Sequence, residues 1–141
     1  MAAKRLNLNI LTQEEHVLSD EVDLVLAPAS QGQIGILPGH ASLLTQLSAG
    51  ELFILKGPKM EVFAVSGGFL DIHRDQLTVM ADSATRADDL SLAAAEAAKK
   101  RAEETLKQNL SDREFSLAEA DLRKAVLELK VAKKRRKVYT G

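Results

Sequence analysis

His16, His40 and His73, the three histidines of the chain, are the residues best suited to metal or acid–base chemistry, and their spacing favours neither. No His-x-His or His-Glu-x-x-His pair sets two imidazoles on one face, so a zinc or oxygenase site would need assembly from distant segments. His16 follows Glu14 and Glu15, and His73 precedes Arg74-Asp75, both contexts of polar strand ends or turns. The carboxylates Asp20/Glu21/Asp23 and Asp88/Asp89 also fall in turn or cap contexts, where solvation and capping are commoner roles than proton transfer. Ser66-Gly67-Gly68 lacks the Gly-x-Ser-x-Gly elbow and has no base at hand. The chain has no cysteine, which excludes disulfides, thiol nucleophiles and thiolate metal sites and fits a reducing compartment. These residues predict a protein without catalytic, metal or cofactor residues.

Glycine spacing could still cradle a phosphate, but Gly32-x-x-Gly35-x-x-x-Gly39 matches neither the P-loop, which ends in Gly-Lys-Ser/Thr, nor the dinucleotide fingerprint. No helical pattern follows it to supply a positive dipole end. The stretch Gly32 to His40 reads as a loop that carries Ile34, Ile36 and Leu37. For any one of these residues burial under the body of the protein is the commoner outcome. The alternative is an interaction loop, since apolar side chains on a rigid turn form a compact docking surface.

The elements that would position such a loop divide sharply along the chain. Seven of eight glycines and all three prolines lie in residues 1–68. Residues 1–84 hold five Lys/Arg against ten Asp/Glu, and residues 85–141 hold fourteen against ten. A weakly acidic β module over 1–84 is thus joined to a basic helical arm over 85–141. No apolar run approaches the roughly 18–20 residues that span a bilayer, and Met1 to Lys4 lead into no signal-peptide core, which predicts a soluble chain without a Sec-type signal.

In the β module, Leu6, Leu8 and Ile10 alternate with polar residues, and Val22, Leu24 and Leu26 repeat the pattern as far as Pro28. Further strands are expected over 52–55, 60–65, 69–72 and 77–80, with turns at Gly57-Pro58, Gly67-Gly68 and Arg74-Asp75. Short strands at such intervals predict a sandwich or barrel, and the glycine pair serves positive φ or close strand packing.

From Ser91 to Asn109 helix formers dominate, with Asp88, Asp89 and Ser91 placed to cap and Glu96/Lys100 and Glu103/Lys107 spaced as i,i+4 pairs. Ser111 and Glu114 form a capping-box signature, so a second helix starts at once and lies antiparallel to the first. Phe115, Ala118, Leu122, Ala125, Leu129 and Ala132 then make a seam at alternating spacings of three and four, facing Leu92, Ala95, Ala102 and Leu106. Each alanine methyl in that seam buries only about 0.8 kcal/mol, so the hairpin is marginal alone and suited to alternative dockings. Arg123, Lys124 and the run Lys133, Lys134, Arg135, Arg136 and Lys137 make the second helix basic. Solvated charge complementing the helix dipole is the ordinary role of such a run, and an acidic protein surface is its natural partner. The scarcity of aromatics, four Phe and one Tyr, argues against nucleic acid.

Gly35-Ile36-Leu37-Pro38-Gly39-His40 with Leu43-Leu44, then Ser66-Gly67-Gly68-Phe69-Leu70, then Ala81-Asp82-Ser83-Ala84 and the Ala-rich hairpin closely resemble the ε subunits of bacterial and chloroplast F-type ATP synthases over nearly the whole chain. The resemblance implies a ten-stranded β sandwich followed by a two-helix hairpin. It further implies a non-catalytic role in the central stalk that couples proton flow to ATP synthesis, with the γ subunit and the membrane rotor ring of c subunits as partners. Gln33, Ile34, Ile36, Leu37, Pro38 and His40 would face γ and the ring, with Gln33 standing where an acidic residue is common. Arg123, Lys124 and Lys133 to Lys137 resemble the basic stretch that meets catalytic β subunits when the helices extend to inhibit hydrolysis. The implied location is peripheral, at the cytoplasmic face of a bacterial inner membrane or the thylakoid stromal face. Some family members bind ATP through Leu/Ile-Asp-x-x-Arg-Ala, but here Leu90-Ser91-Leu92-Ala93-Ala94-Ala95 puts Ser91 and Ala94 at the acidic and guanidinium positions, so little or no nucleotide binding is expected. A free-standing sandwich adaptor whose basic helix grips an acidic partner is the competing reading, and a small cupin-like metalloenzyme a remoter one.

Overall fold

The protein is described from a computed structural model covering residues 4–140, with side chains described as far as Lys134. It divides into two compact units, Met1–Arg86 and Ala87–Gly141.

Among the described residues the first unit contains eight strands: β1 (Leu6–Leu11), β2 (His16–Val22), β3 (Leu24–Ala29), β4 (Gly32–Ile36), β5 (Leu43–Lys56), β6 (Lys59–His73), β7 (Gln76–Ala81) and β8 (Ala84–Arg86). Their order is β2-β1-β7-β6-β5-β3-β4, with β8 paired to β6. All pairs are antiparallel except β1 with β7, which run parallel. Only Asp23 separates β2 from β3, yet β2 stands at one edge of the strand order beside β1 while β3 joins β5 near the other, so the chain changes layers there. The interior is filled by Leu6, Leu8 and Ile10 of β1, Val25 and Ala27 of β3, Phe63 and Val65 of β6, and Leu77 and Val79 of β7. Period-two alternation in β1 and β7 sends every second side chain inward, as the sequence pattern predicts.

The long strands differ from the expected set of short ones. Residues 60–65 and 69–72 belong to one strand, β6, that passes straight through Gly67-Gly68. The two glycines sit at φ 122° and 124°, so they kink a continuous strand where a turn was expected. Across the kink the residues that join the central core change parity, from Phe63 and Val65 to Leu70 and Ile72, although Val62 and Ala64 are buried as well. The neighbour of β6 also changes, from β8 at Phe63, Ala64 and Val65 to β7 from Gly68 onward. β5 mirrors the change, with Leu47 inward before the corner and Leu52 and Ile54 inward after it. Eight strands replace the expected ten because β5 and β6 each cross the corner unbroken; cutting both there restores the larger count.

The second unit starts with a single 3-10 turn, Ala87–Asp89, followed by α1 (Leu92–Leu106) and α2 (Asp112–Thr140). Ser91 caps α1, its side chain accepting from the Ala94 N–H at 3.2 Å. α1 stops three residues short of the expected Asn109, where the Lys107 N–H turns back onto the Glu104 carbonyl. Ser111 and Glu114 form the capping box: the Glu114 N–H donates to Ser111 Oγ at 3.2 Å and the Ser111 N–H to Glu114 Oε1 at 3.3 Å. Ala95 and Ala102 of α1 and Ala118, Ala125, Leu129 and Ala132 of α2 are buried as the seam requires, whereas Phe115 is 44% exposed. The i,i+4 ion pairs recorded in the helices are Lys99–Glu103 and Lys124–Glu128, both at 3.8 Å, and not the two expected pairs. No helix is long and apolar enough to cross a membrane among the described residues.

Candidate docking site

Register places six segments at one end of the first unit. The starts of β1, β3 and β7 lie there with the end of β4, since Asn7 pairs with Gln76, Leu6 with Val22 just before β3, and Val25 with Ile36. Leu43, which pairs with Ile72, brings the start of β5 and the end of β6 to the same end. The segment 37–42 therefore runs across this end from β4 to β5, beside the β6–β7 turn at Arg74-Asp75.

Side chains tie the segment down. The Gly39 N–H donates to Asp75 Oδ1 at 2.7 Å, and Ser42 Oγ lies 2.9 Å from His73 Nδ1. His40 closes the turn locally, its N–H donating to the Leu37 carbonyl at 3.1 Å while Nδ1 lies 2.7 Å from the Ala41 oxygen. Gly39 has φ 86°, which a residue with a β-carbon rarely adopts. Leu37 is left 58% exposed on this fixed turn.

The six residues expected to act as one loop are consequently separated. Leu37, Pro38 and His40 share the tied turn, but Gly32–Ile36 is strand β4, with Gln33 opposite Pro28 and Ile34 opposite Ala27. Gln33 thus lies near the far end of β4, beside the β3–β4 turn, and Ile34 is half-buried against the core. Ile36 is fully buried and offers no surface, a correction that follows from alternation: it faces inward with Val25. His16 lies 3.2 Å from Asn9 Oδ1 through Nε2, so the three histidines sit in separate polar contacts. No cluster able to hold a metal ion occurs among the described residues.

An exposed apolar face went unread in the sequence. Gln46, Phe69 and Met80 are direct partners across β5, β6 and β7, so Phe69 (52% exposed) and Met80 (44%) lie side by side, with Leu44 (67%) two residues along from Gln46. The signal was available in Phe69-Leu70, two adjacent apolar residues of which a strand can bury only one on a given face.

At the same end as the tied turn, four charged residues clasp the crossover between β2 and β3. Asp23 accepts from the Gly57 N–H at 2.6 Å and from Arg5 Nε at 3.0 Å, and Asp20 accepts from Lys56 Nζ at 2.8 Å. The Lys56 ammonium holds the Asp20 carboxyl below its ordinary range, and the Gly57 N–H with Arg5 does the same for Asp23. In the second unit, Arg123, Lys124, Lys133 and Lys134 are exposed on α2. Arg135, Arg136 and Lys137 continue that helix, but their side chains lie outside the described residues. Ser91 is occupied as the α1 cap and Ala94 is an exposed methyl beside it.

Residues 5–87 match the family described as ATP synthase, Delta/Epsilon chain, beta-sandwich domain, and residues 88–133 match ATP synthase, Delta/Epsilon chain, long alpha-helix domain. The chain is 46% identical over 134 residues to the ATP synthase epsilon chain of Dehalococcoides mccartyi strain BAV1, covering 94% of this chain and 96% of that one. It is 43% identical over 131 residues to that of Herpetosiphon aurantiacus, covering 93% and 96%. A chain in the Euglena gracilis mitochondrial ATP synthase OSCP/F1/c-ring structure shares the fold, with a TM-score of 0.69 at 21% identity over 91% of this chain and 80% of that one. A matching sandwich and matching helices, in one order and at these identities, place the chain in the ATP synthase delta/epsilon family.

Proposed function

We propose that the chain is a rotor subunit of the central stalk of an F-type ATP synthase, non-catalytic itself, coupling proton passage to ATP synthesis made by other subunits. The observation that carries this reading is the 46% identity to an ATP synthase epsilon chain across 96% of that chain's length. Its partners are the γ subunit, the c-subunit rotor ring and, in an inhibited state, the catalytic β subunits. The fixed turn with exposed Leu37, together with the face of Leu44, Phe69 and Met80, supplies rigid apolar surface suited to γ and the ring. Gln33, at the other end of β4, adds a separate polar contact. The protein is peripheral to the membrane through the complex, at the cytoplasmic face in a bacterium. In α2, Arg123, Lys124 and the run Lys133 to Lys137 supply the cationic surface for an acidic segment of β, a contact that salt would weaken.

Pull-down of the tagged full chain from membranes tests the core of the reading: recovery of a γ-like subunit supports it, and recovery of the chain alone supports a free-standing adaptor. Deleting residues 111–141 tests the inhibitory part. The complex should still assemble and couple, with raised ATP hydrolysis; a truncated complex that fails to assemble makes the arm structural and removes the inhibitor role.

A further inference from the structure

We propose that Asp75 is a positioning residue that locks the Leu37–His40 turn into its docking shape, joining this turn and the β6–β7 turn into one rigid surface. The inference rests on the docking role proposed above for Leu37 to His40 and assigns the residue that makes the surface stiff.

Asp75 stands in an unfavourable backbone conformation. Arg74 and Asp75 have φ 48° and 63°, the described non-glycine residues with positive φ. A tight turn between antiparallel strands selects this geometry, and glycine would adopt it with least strain. Asp at the second position keeps a side chain that glycine lacks, and that side chain reaches 36 residues back along the chain to the Gly39 N–H at 2.7 Å. Its own backbone carbonyl accepts from the Asn7 N–H at 2.8 Å, anchoring the turn to β1. Asp75 thus connects the beginning of β1, the β6–β7 turn and the crossing segment. Gly39, with φ 86°, could not be replaced by a residue bearing a capping side chain of its own without strain. The carboxylate supplies the contact from outside. The neighbouring bond between Ser42 and His73 repeats the connection between the same two segments.

A side-chain oxygen accepting from a backbone N–H gives a directional bond whatever its charge, and segment ordering before docking removes the entropy cost of ordering it in the complex. Leu37, two residues from Gly39, is the exposed apolar group whose position this bond fixes.

Two substitutions separate positioning from charge and from backbone strain. Asp75→Gly keeps the positive φ but removes the acceptor; Asp75→Asn keeps an acceptor oxygen and tolerates that φ while removing the charge. Each full-length variant is added back to membranes carrying the synthase depleted of this chain, and hydrogen exchange at the Gly39 amide is read on the free chain. The expected result for Asp75→Gly is roughly tenfold faster Gly39 exchange and roughly tenfold weaker reassembly, with Asp75→Asn close to wild type in both. Unchanged reassembly by Asp75→Gly despite faster Gly39 exchange overturns the positioning role, as does unchanged exchange. Weakening by Asp75→Asn equal to that by Asp75→Gly also overturns it, because charge would then be the cause. Leu37→Ser is the control for the docking reading itself: if it reassembles as wild type, that reading fails, whatever Asp75 does.

Discussion

Gly68 and the backbone of Met80 lie in such close apposition that any β-carbon on residue 68 would collide with the Met80 carbonyl and the Ala81 α-carbon. This contact sits where β6 passes the corner and exchanges β8 for β7 as its neighbour. Around it the Asp82 N–H donates to the Gly67 carbonyl at 3.0 Å, and Ser83 Oγ donates to Ser66 Oγ at 2.6 Å, so the bend is satisfied from both sides.

Gly68→Ala should therefore be among the most damaging small substitutions in the sandwich. Backbone collision adds to the strain of φ 124°, and a loss of about 3 kcal/mol or more is expected. Gly57→Asn is the comparison, since φ there is 58° and a β-carbon meets open space; its cost should stay under about 1 kcal/mol. Urea denaturation of both variants, followed by far-UV circular dichroism, checks the difference.

Ser111→Ala removes the Ser111 Oγ that accepts from the Glu114 N–H at the start of α2, while the backbone N–H of residue 111 keeps its bond to Glu114 Oε1. A loss of about 1 kcal/mol is expected, confined to the helices because Ser111 belongs to the second compact unit. Native-state hydrogen exchange should show faster exchange at amides of α1 and α2, with amides of β1 and β7 unchanged.

Stability should fall in acid through the clasp of Asp20 and Asp23. Both carboxyls have folded pKa values below the ordinary 3.8, so the folded state binds protons less readily than the unfolded one. Their contribution is complete above about pH 4–5 and is lost as pH falls through the depressed folded values. Denaturation midpoints at stepped pH should drop below pH 4, and the Asp20→Asn/Asp23→Asn double variant should show a shallower drop with a lower plateau at pH 7.

Titration calorimetry of the isolated chain with ATP should register no binding, because Ser91 is engaged with the Ala94 N–H and Ala94 offers no cation for phosphate. A micromolar dissociation constant would refute this expectation.

Local physics wrote much of this protein into its residue order. Alternation in Leu6, Leu8 and Ile10 set which face of β1 is buried, and the Ser111/Glu114 spacing set where α2 begins, since both depend on neighbours within a few positions. The family likeness was legible for the same reason, carried by contiguous stretches such as Gly35 to His40. Long-range pairing decided the rest. Gly67-Gly68 has the composition of a turn, and only the approach of β7 and β8 on either side of one strand makes it a kink. Gln33 and Leu37 are four residues apart in one glycine-rich stretch, but pairing with β3 straightens Gly32–Ile36 into a strand and sends them to different ends of it. Asp75 and Gly39 meet across 36 residues, as Phe69 and Met80 meet across two strands; no local rule anticipates such contacts, because they are fixed by which strands the fold places side by side.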